Sequence, residues 1–180
     1  MILTKNTETR FGIIAILLHW IMAILIVGLL ALGLYMTNIP ISVQKLKLYG
    51  WHKEFGILAL MLLIVRLTWR LRNTTPSLNG LRRWETIAAR VVHGAFYILM
   101  LVLPISGWLI TSAAGLPVSF FGWFLLPNLI DANTTQRLLF TEIHEWLSYA
   151  LIAVFCMHVS AALKHYFINK DTIMQRMLWP

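Results

Sequence analysis

From Phe11 to Gln44 the chain runs 34 residues without an aspartate, glutamate, lysine or arginine. Few folds accept such a stretch. Hydrocarbon offers no partner to a backbone N–H or C=O, so a segment surrounded by lipid must satisfy its own, which selects an α-helix. About 20 apolar residues in that form cross a bilayer core of about 30 Å. Phe11 to Tyr35 is the first predicted span, and three others follow at 49–69, 88–110 and 139–167. Pro104 falls inside the third and is expected to kink it. Residues 113–130 are apolar but broken by Gly115, Pro117, Gly122 and Pro127, so they read as an interfacial or re-entrant periplasmic segment. The expected fold is all-α and integral to the membrane: one domain over residues 1–180, a four-transmembrane-helix bundle. A hydrophobic share of 59% is outside the range of ordinary soluble domains.

The net charge of +8 at first suggests nucleic acid, but the basic residues cluster in short connections between apolar segments, which excludes that partner. Lys5, Arg10, Arg66, Arg70, Arg72, Arg82, Arg83, Arg90, Lys164, Lys170 and Arg176 fall on one side of the predicted bundle. Only Lys45, Lys47, Lys53 and Arg137 fall on the other. Eleven against four places both termini in the cytoplasm. The first span is read as retained, because no small-residue cleavage site precedes it. Cys156 is the one cysteine, and no C-x-x-C-H motif occurs, so any haem would be held noncovalently.

His144 and His158 stand fourteen residues apart in span four. At 100° per residue that is 40° short of four turns, so they share a face about 21 Å apart. Topology then gives each histidine a depth. His52 and His144 lie near the outer surface, His19 and His158 near the inner one, and each pair comes from two helices. Two opposed imidazoles at one depth are what axial ligation of a haem iron requires. Ala15, Ala23, Gly56, Ser148, Ala161 and Ala162 lie a turn from these histidines and would leave room for a porphyrin, although small residues also mark ordinary helix contacts. The bland alternative is a histidine that hydrogen-bonds a neighbouring helix. Zinc is a further option, but it usually wants four clustered ligands, and these pairs lack a nearby third and fourth apart from Glu54 and Glu145 in the outer layer.

Several segments carry a resemblance: LLHW in span one, WHKEFG and VRLTWRL in span two, VVHGAFYILMLVLPISGW in span three, EIHEWL and MHVSAALKHYFINKD in span four. Through them the chain resembles the bacterial cytochrome b561 family, four-helix di-haem membrane cytochromes. It is similar, more distantly, to the b-type cytochrome subunits of hydrogenases and formate dehydrogenases. The resemblance implies that His19 and His158 ligate an inner haem b, and His52 and His144 an outer one. It also implies that a quinone approaches the inner end.

His165 follows His158 by seven residues on the same face and could exchange a proton with that quinone. His93 could line the same pocket, hold a propionate, or replace His19 as the inner ligand. Arg66, fourteen residues after His52, is the best candidate to pair with a haem propionate. The expected function is electron transfer by two haems b between a periplasmic donor and ubiquinone. Superoxide is one candidate donor, which would make the protein an oxidoreductase of the superoxide:quinone type. Two alternatives stay open: a relay subunit serving a periplasmic redox protein, and a non-redox membrane protein such as a metal transporter. Membrane lipid is an expected partner, and the sequence leaves oligomeric state open.

Overall fold

The computed structural model describes residues 3–77 and 80–178; the remaining residues of the expected domain and of the polar connection after span two lie outside that description. Four long helices carry the chain: α1 (Ile13–Asn38), α2 (Val43–Arg72), α3 (Arg83–Ala113) and α4 (Thr134–Lys164). The starts of α2, α3 and α4 follow from local chemistry. Ser42 caps α2 by accepting from the Lys45 N–H at 3.1 Å, and Asn133 caps α4 by accepting from the Gln136 N–H at 3.0 Å. Glu85 accepts from the Arg82 N–H at 3.2 Å and closes the first turn of α3. The Ser42 cap also explains why α2 begins six residues before the predicted span, taking Lys45 and Lys47 into the helix. Pro104 lies within α3, which stays helical through it.

Between α3 and α4 the chain forms a small antiparallel hairpin, β1 (Val118–Phe120) with β2 (Phe124–Leu126), in the segment expected to be interfacial or re-entrant. Its turn uses positive φ at Phe121 and Gly122. Val118, Phe120 and Leu126 pack on Ile57 of α2. Buried Ser112 fastens the return to α3, donating to the Trp108 carbonyl and accepting from the Leu129 N–H. The hairpin thus caps one end of the bundle.

At the other end the described termini meet. The Trp20 indole donates to the Met177 carbonyl at 2.8 Å, and Arg176 donates to the Ser77 carbonyl at 2.8 Å. The C-terminus of α4 widens into a π-helical turn, His165–Asn169, closed by Lys170 at φ +54°. Lys164 pairs with Glu85 at 2.8 Å and lies over the Trp84 ring, tying α4 to the start of α3.

The helix contacts are uneven. α3 packs extensively on α4, α1 on α2, and α2 on α3, while α1 against α4 is not among the extensive pairs. Two apolar clusters hold what does pack: Met22, Leu63 and Met100 from α1, α2 and α3, and Leu99, Leu103 and Leu151 from α3 and α4. Leu151 is the one buried residue of α4 among those described. Large apolar side chains such as Ile24, Val91 and Ile98 face outward, which suits lipid rather than water. Three helices, α1, α3 and α4 with its π turn, are long and apolar enough to cross a membrane. α2 is long enough at 30 residues but carries Lys53, Glu54 and Arg66.

Candidate haem site: two layers of paired imidazoles

Towards the hairpin end, His52 of α2 faces His144 of α4 with ring centroids 6.3 Å apart and planes at 75°. Towards the termini, His19 of α1 faces His158 of α4 at 6.2 Å and 59°. With a metal–nitrogen bond of about 2.0 Å and each ring nitrogen about 1.1 Å from its centroid, two imidazoles sharing one metal stand about 6.2 Å apart. Both pairs have that separation. Each spans helices that lack extensive contact with one another.

The second nitrogen of each ring decides what the first can do. Ser106 donates its hydroxyl proton to the Leu103 carbonyl at 2.8 Å, so towards His144 Nδ1, also at 2.8 Å, it acts as acceptor. His144 therefore carries its proton on Nδ1 and leaves Nε2 free for a metal. His52 Nδ1 is buried with no hydrogen-bond partner among the described residues. Arg66 donates from Nη2 to His19 Nδ1 at 3.0 Å. A guanidinium has no acceptor, so in this arrangement the His19 proton lies on Nε2.

Two glycines press against the hairpin-end pair. A Cβ on Gly33 of α1 would lie 3.3 Å from His52 Cε1, and one on Gly107 of α3 would lie 3.4 Å from His144 Cε1. Neither was among the small residues singled out by sequence, and Gly56, which was, has nothing within 4 Å of its Cβ position. Ser148 turns back to its own helix, donating to the His144 carbonyl. A simple signal would have found the two glycines. Fourteen residues separate His19 from Gly33, His52 from Arg66, His93 from Gly107 and His144 from His158. Every helix thus carries one layer-forming position about 21 Å from the other on a single face.

His93 completes the termini-end layer, 5.6 Å from His158 by ring centroids, with Phe96 stacked edge-on to His158 at 5.3 Å. His165 does not join this cluster. It is buried in the π turn, where its Nδ1 meets Asp171 Oδ2 at 2.5 Å and Asn169 Nδ2 at 3.1 Å. Partial burial works to raise the Asp171 pKa, yet the bonds from His165, the Ile173 N–H and Asn169, with the His165 charge, hold that carboxyl below its usual value. Asp171 and Asn169 were not named from sequence as partners of His165. Among the described residues no group of three or more His, Cys, Asp or Glu side chains gathers around a bare metal ion.

Apolar helices holding two stacked imidazole pairs, each at the spacing of shared axial ligation, define a membrane cytochrome. The profile of the prokaryotic cytochrome b561 family matches residues 10–180, and the chain belongs to that family. It is 38% identical to cytochrome b561 homolog 2 of Escherichia coli (strain K12), covering 96% of this chain and 93% of the relative. To cytochrome b561 homolog 1 of the same organism it is 29% identical, over 94% and 97%. To a probable superoxide oxidase, CybB, of Yersinia pestis it is 27% identical, over 94% and 96%. The protein is therefore a haem b-binding membrane cytochrome of electron transport.

Proposed function

We propose that the protein carries two haems b and passes electrons between a donor at the hairpin end and ubiquinone at the termini end. The observation behind this reading is two imidazole pairs with ring centroids 6.2 and 6.3 Å apart, one from α1 and α4 and the other from α2 and α4, stacked along the shared helix α4. His52 and His144 would hold one iron, His19 and His158 the other. When bound, haem b supplies a one-electron carrier in each layer. The His93–His158 separation of 5.6 Å is short for a shared metal, which favours His19 as the inner ligand over His93. Ligation through His19 Nε2 needs Arg66 to release Nδ1, and a haem propionate gives that guanidinium a second partner.

α2 is read as the fourth span because it packs between α1 and α3 and its charges face the site or the ends. The excess of basic residues at the termini end supports a cytoplasmic position for both termini, with the hairpin on the periplasmic side of an inner membrane. His165, held by Asp171 through Nδ1, has Nε2 available to exchange a proton with a quinone arriving at this end. At the opposite end Lys45, Lys47, Lys53 and Arg137 are offset by Glu54, Asp131, Glu142 and Glu145, so it is the name of the Yersinia relative that makes superoxide the first donor to try. Rapid mixing of purified protein with ubiquinol or with superoxide should reduce the haem and bring up its b-type α-band. The His165→Ala variant should keep the dithionite-reduced spectrum and lose the quinol phase. Equal quinol rates in both proteins would contradict the role of His165; no reduction by either donor would contradict the function.

A further inference from the structure

A cavity of about 460 Å3 lies outside the haem layers, between the arm that precedes α1 and the last turns of α2. It is lined by Ile64, Val65, Thr68, Trp69 and Asn73, together with the cations Lys5 and Arg72. None of its described lining residues carries a carboxylate. The α2 positions recur every three to four residues, so they form one stripe, apolar first and cationic about 12 Å further along. Ile64 and Val65 are 58% and 52% exposed although apolar. The indole N–H of Trp69 has no hydrogen-bond partner among the described residues.

Lys5 is held in place. The arm is pinned to the end of α2 by the Asn6 amide donating to the Thr74 carbonyl at 2.9 Å, and by the Ser77 N–H donating to the Glu8 carbonyl at 2.9 Å. It crosses α1 where Gly12 lacks a side chain: a Cβ there would lie 2.5 Å from the Thr4 carbonyl oxygen and 2.7 Å from that of Lys5. Gly12 thus lets the arm settle with its lysine lining the same cavity as Arg72.

We propose that this groove binds one anionic phospholipid, its phosphate between Lys5 and Arg72 and an acyl chain along Ile64 and Val65. The inference rests on the reading that α2 spans the membrane with Arg72 at headgroup depth. A soluble phosphate would leave the apolar wall bare, and an uncharged quinone would leave two cations unanswered. Basic pockets of this kind at the cytoplasmic surface suit anionic headgroups.

Native mass spectrometry of the haem-loaded protein in neutral detergent tests it, with phosphatidylglycerol or phosphatidylcholine added at equal concentration. The expected result is one retained phosphatidylglycerol and no comparable phosphatidylcholine. The Lys5→Gln/Arg72→Gln variant should bind it more than tenfold more weakly, at about fivefold per cation. Arg72→Lys should retain most of the binding, and Arg83→Gln/Lys170→Gln, which removes the same charge elsewhere at this end, should bind like the wild type. Equal binding of the two lipids, unchanged binding in the first variant, equal loss in the last, or one-for-one displacement by ubiquinone would overturn the proposal. Haem content, read from the spectra of the same samples, reports separately on the haem reading.

Discussion

Ser106 shows how one hydroxyl would prepare His144 to hold a metal in the proposed site. Its single proton goes to the Leu103 carbonyl, so His144 Nδ1–H has an acceptor and Nε2 is left as the free nitrogen. Loss of such an outer partner typically costs about 10- to 100-fold in metal affinity. Ser106→Ala should therefore shed one of the two haems on dilution and keep the other, which a haem-to-protein ratio followed over dilution would detect. Asp171 offers a pH-dependent counterpart. Its pKa is lowered in the folded chain, so its pairing with His165 stabilises the fold above the ordinary carboxylate pKa of about 3.9 and is lost as pH falls through the lower folded value. Asp171→Asn should lower Tm near pH 7, and the difference from wild type should shrink towards zero below pH 4 in a melting series. The histidines themselves were legible in the sequence, since an ionisable side chain inside an apolar run is conspicuous. Ser106, Asp171 and Asn169 were not, because a serine in a helix and two polar residues past its end have many ordinary uses. Only their contacts single them out.

The helices carry the same interval four times, and only half of it could be read from the chain. In α4 both members are histidines, and in α2 a histidine is followed by an arginine, so those intervals announce themselves. In α1 and α3 the partner is a glycine, whose meaning depends on what faces it. The contacts give that meaning: Gly33 and Gly107 bring their helices against the His52 and His144 rings. Gly107→Val would drive branched carbons into the His144 ring, and α3 could relieve the clash only by moving away from α4. One haem should be lost from this variant while the helical circular dichroism stays close to wild type; two haems at full content would show that the close approach is dispensable. The hairpin was hidden for a different reason. Its strands are three residues each, too short for an alternating pattern, and the glycines and prolines around it are equally consistent with a re-entrant turn. The length of α2 was underestimated because Lys45 and Lys47 looked like loop residues, whereas the Ser42 cap starts the helix before them.

Across the whole molecule, packing is densest where helices meet directly and sparse along the seam between α1 and α4. α4 buries a single leucine among the described residues, which is little for a 31-residue helix that must hold its place in a bundle. A cofactor bound in both layers would supply the missing contacts, and this is why fold and haem are expected to stand together. The mostly helical membrane character was plain from hydropathy alone, while the β1–β2 hairpin departs from the all-α expectation. The asymmetry of the seam was not, because no pattern of apolar residues says which two helices stay apart. The hairpin closes one end, and the Lys164–Glu85 pair with the crossing termini closes the other, so the two layers lie between braced ends. The measurement that bears most directly on this architecture is the haem b content of purified protein, by pyridine haemochrome, for the wild type and His52→Ala. Two haems per chain in the wild type and one in the variant, with the remaining α-band intact, is the predicted result. One haem or none in the wild type, or an unchanged content in His52→Ala, would contradict it.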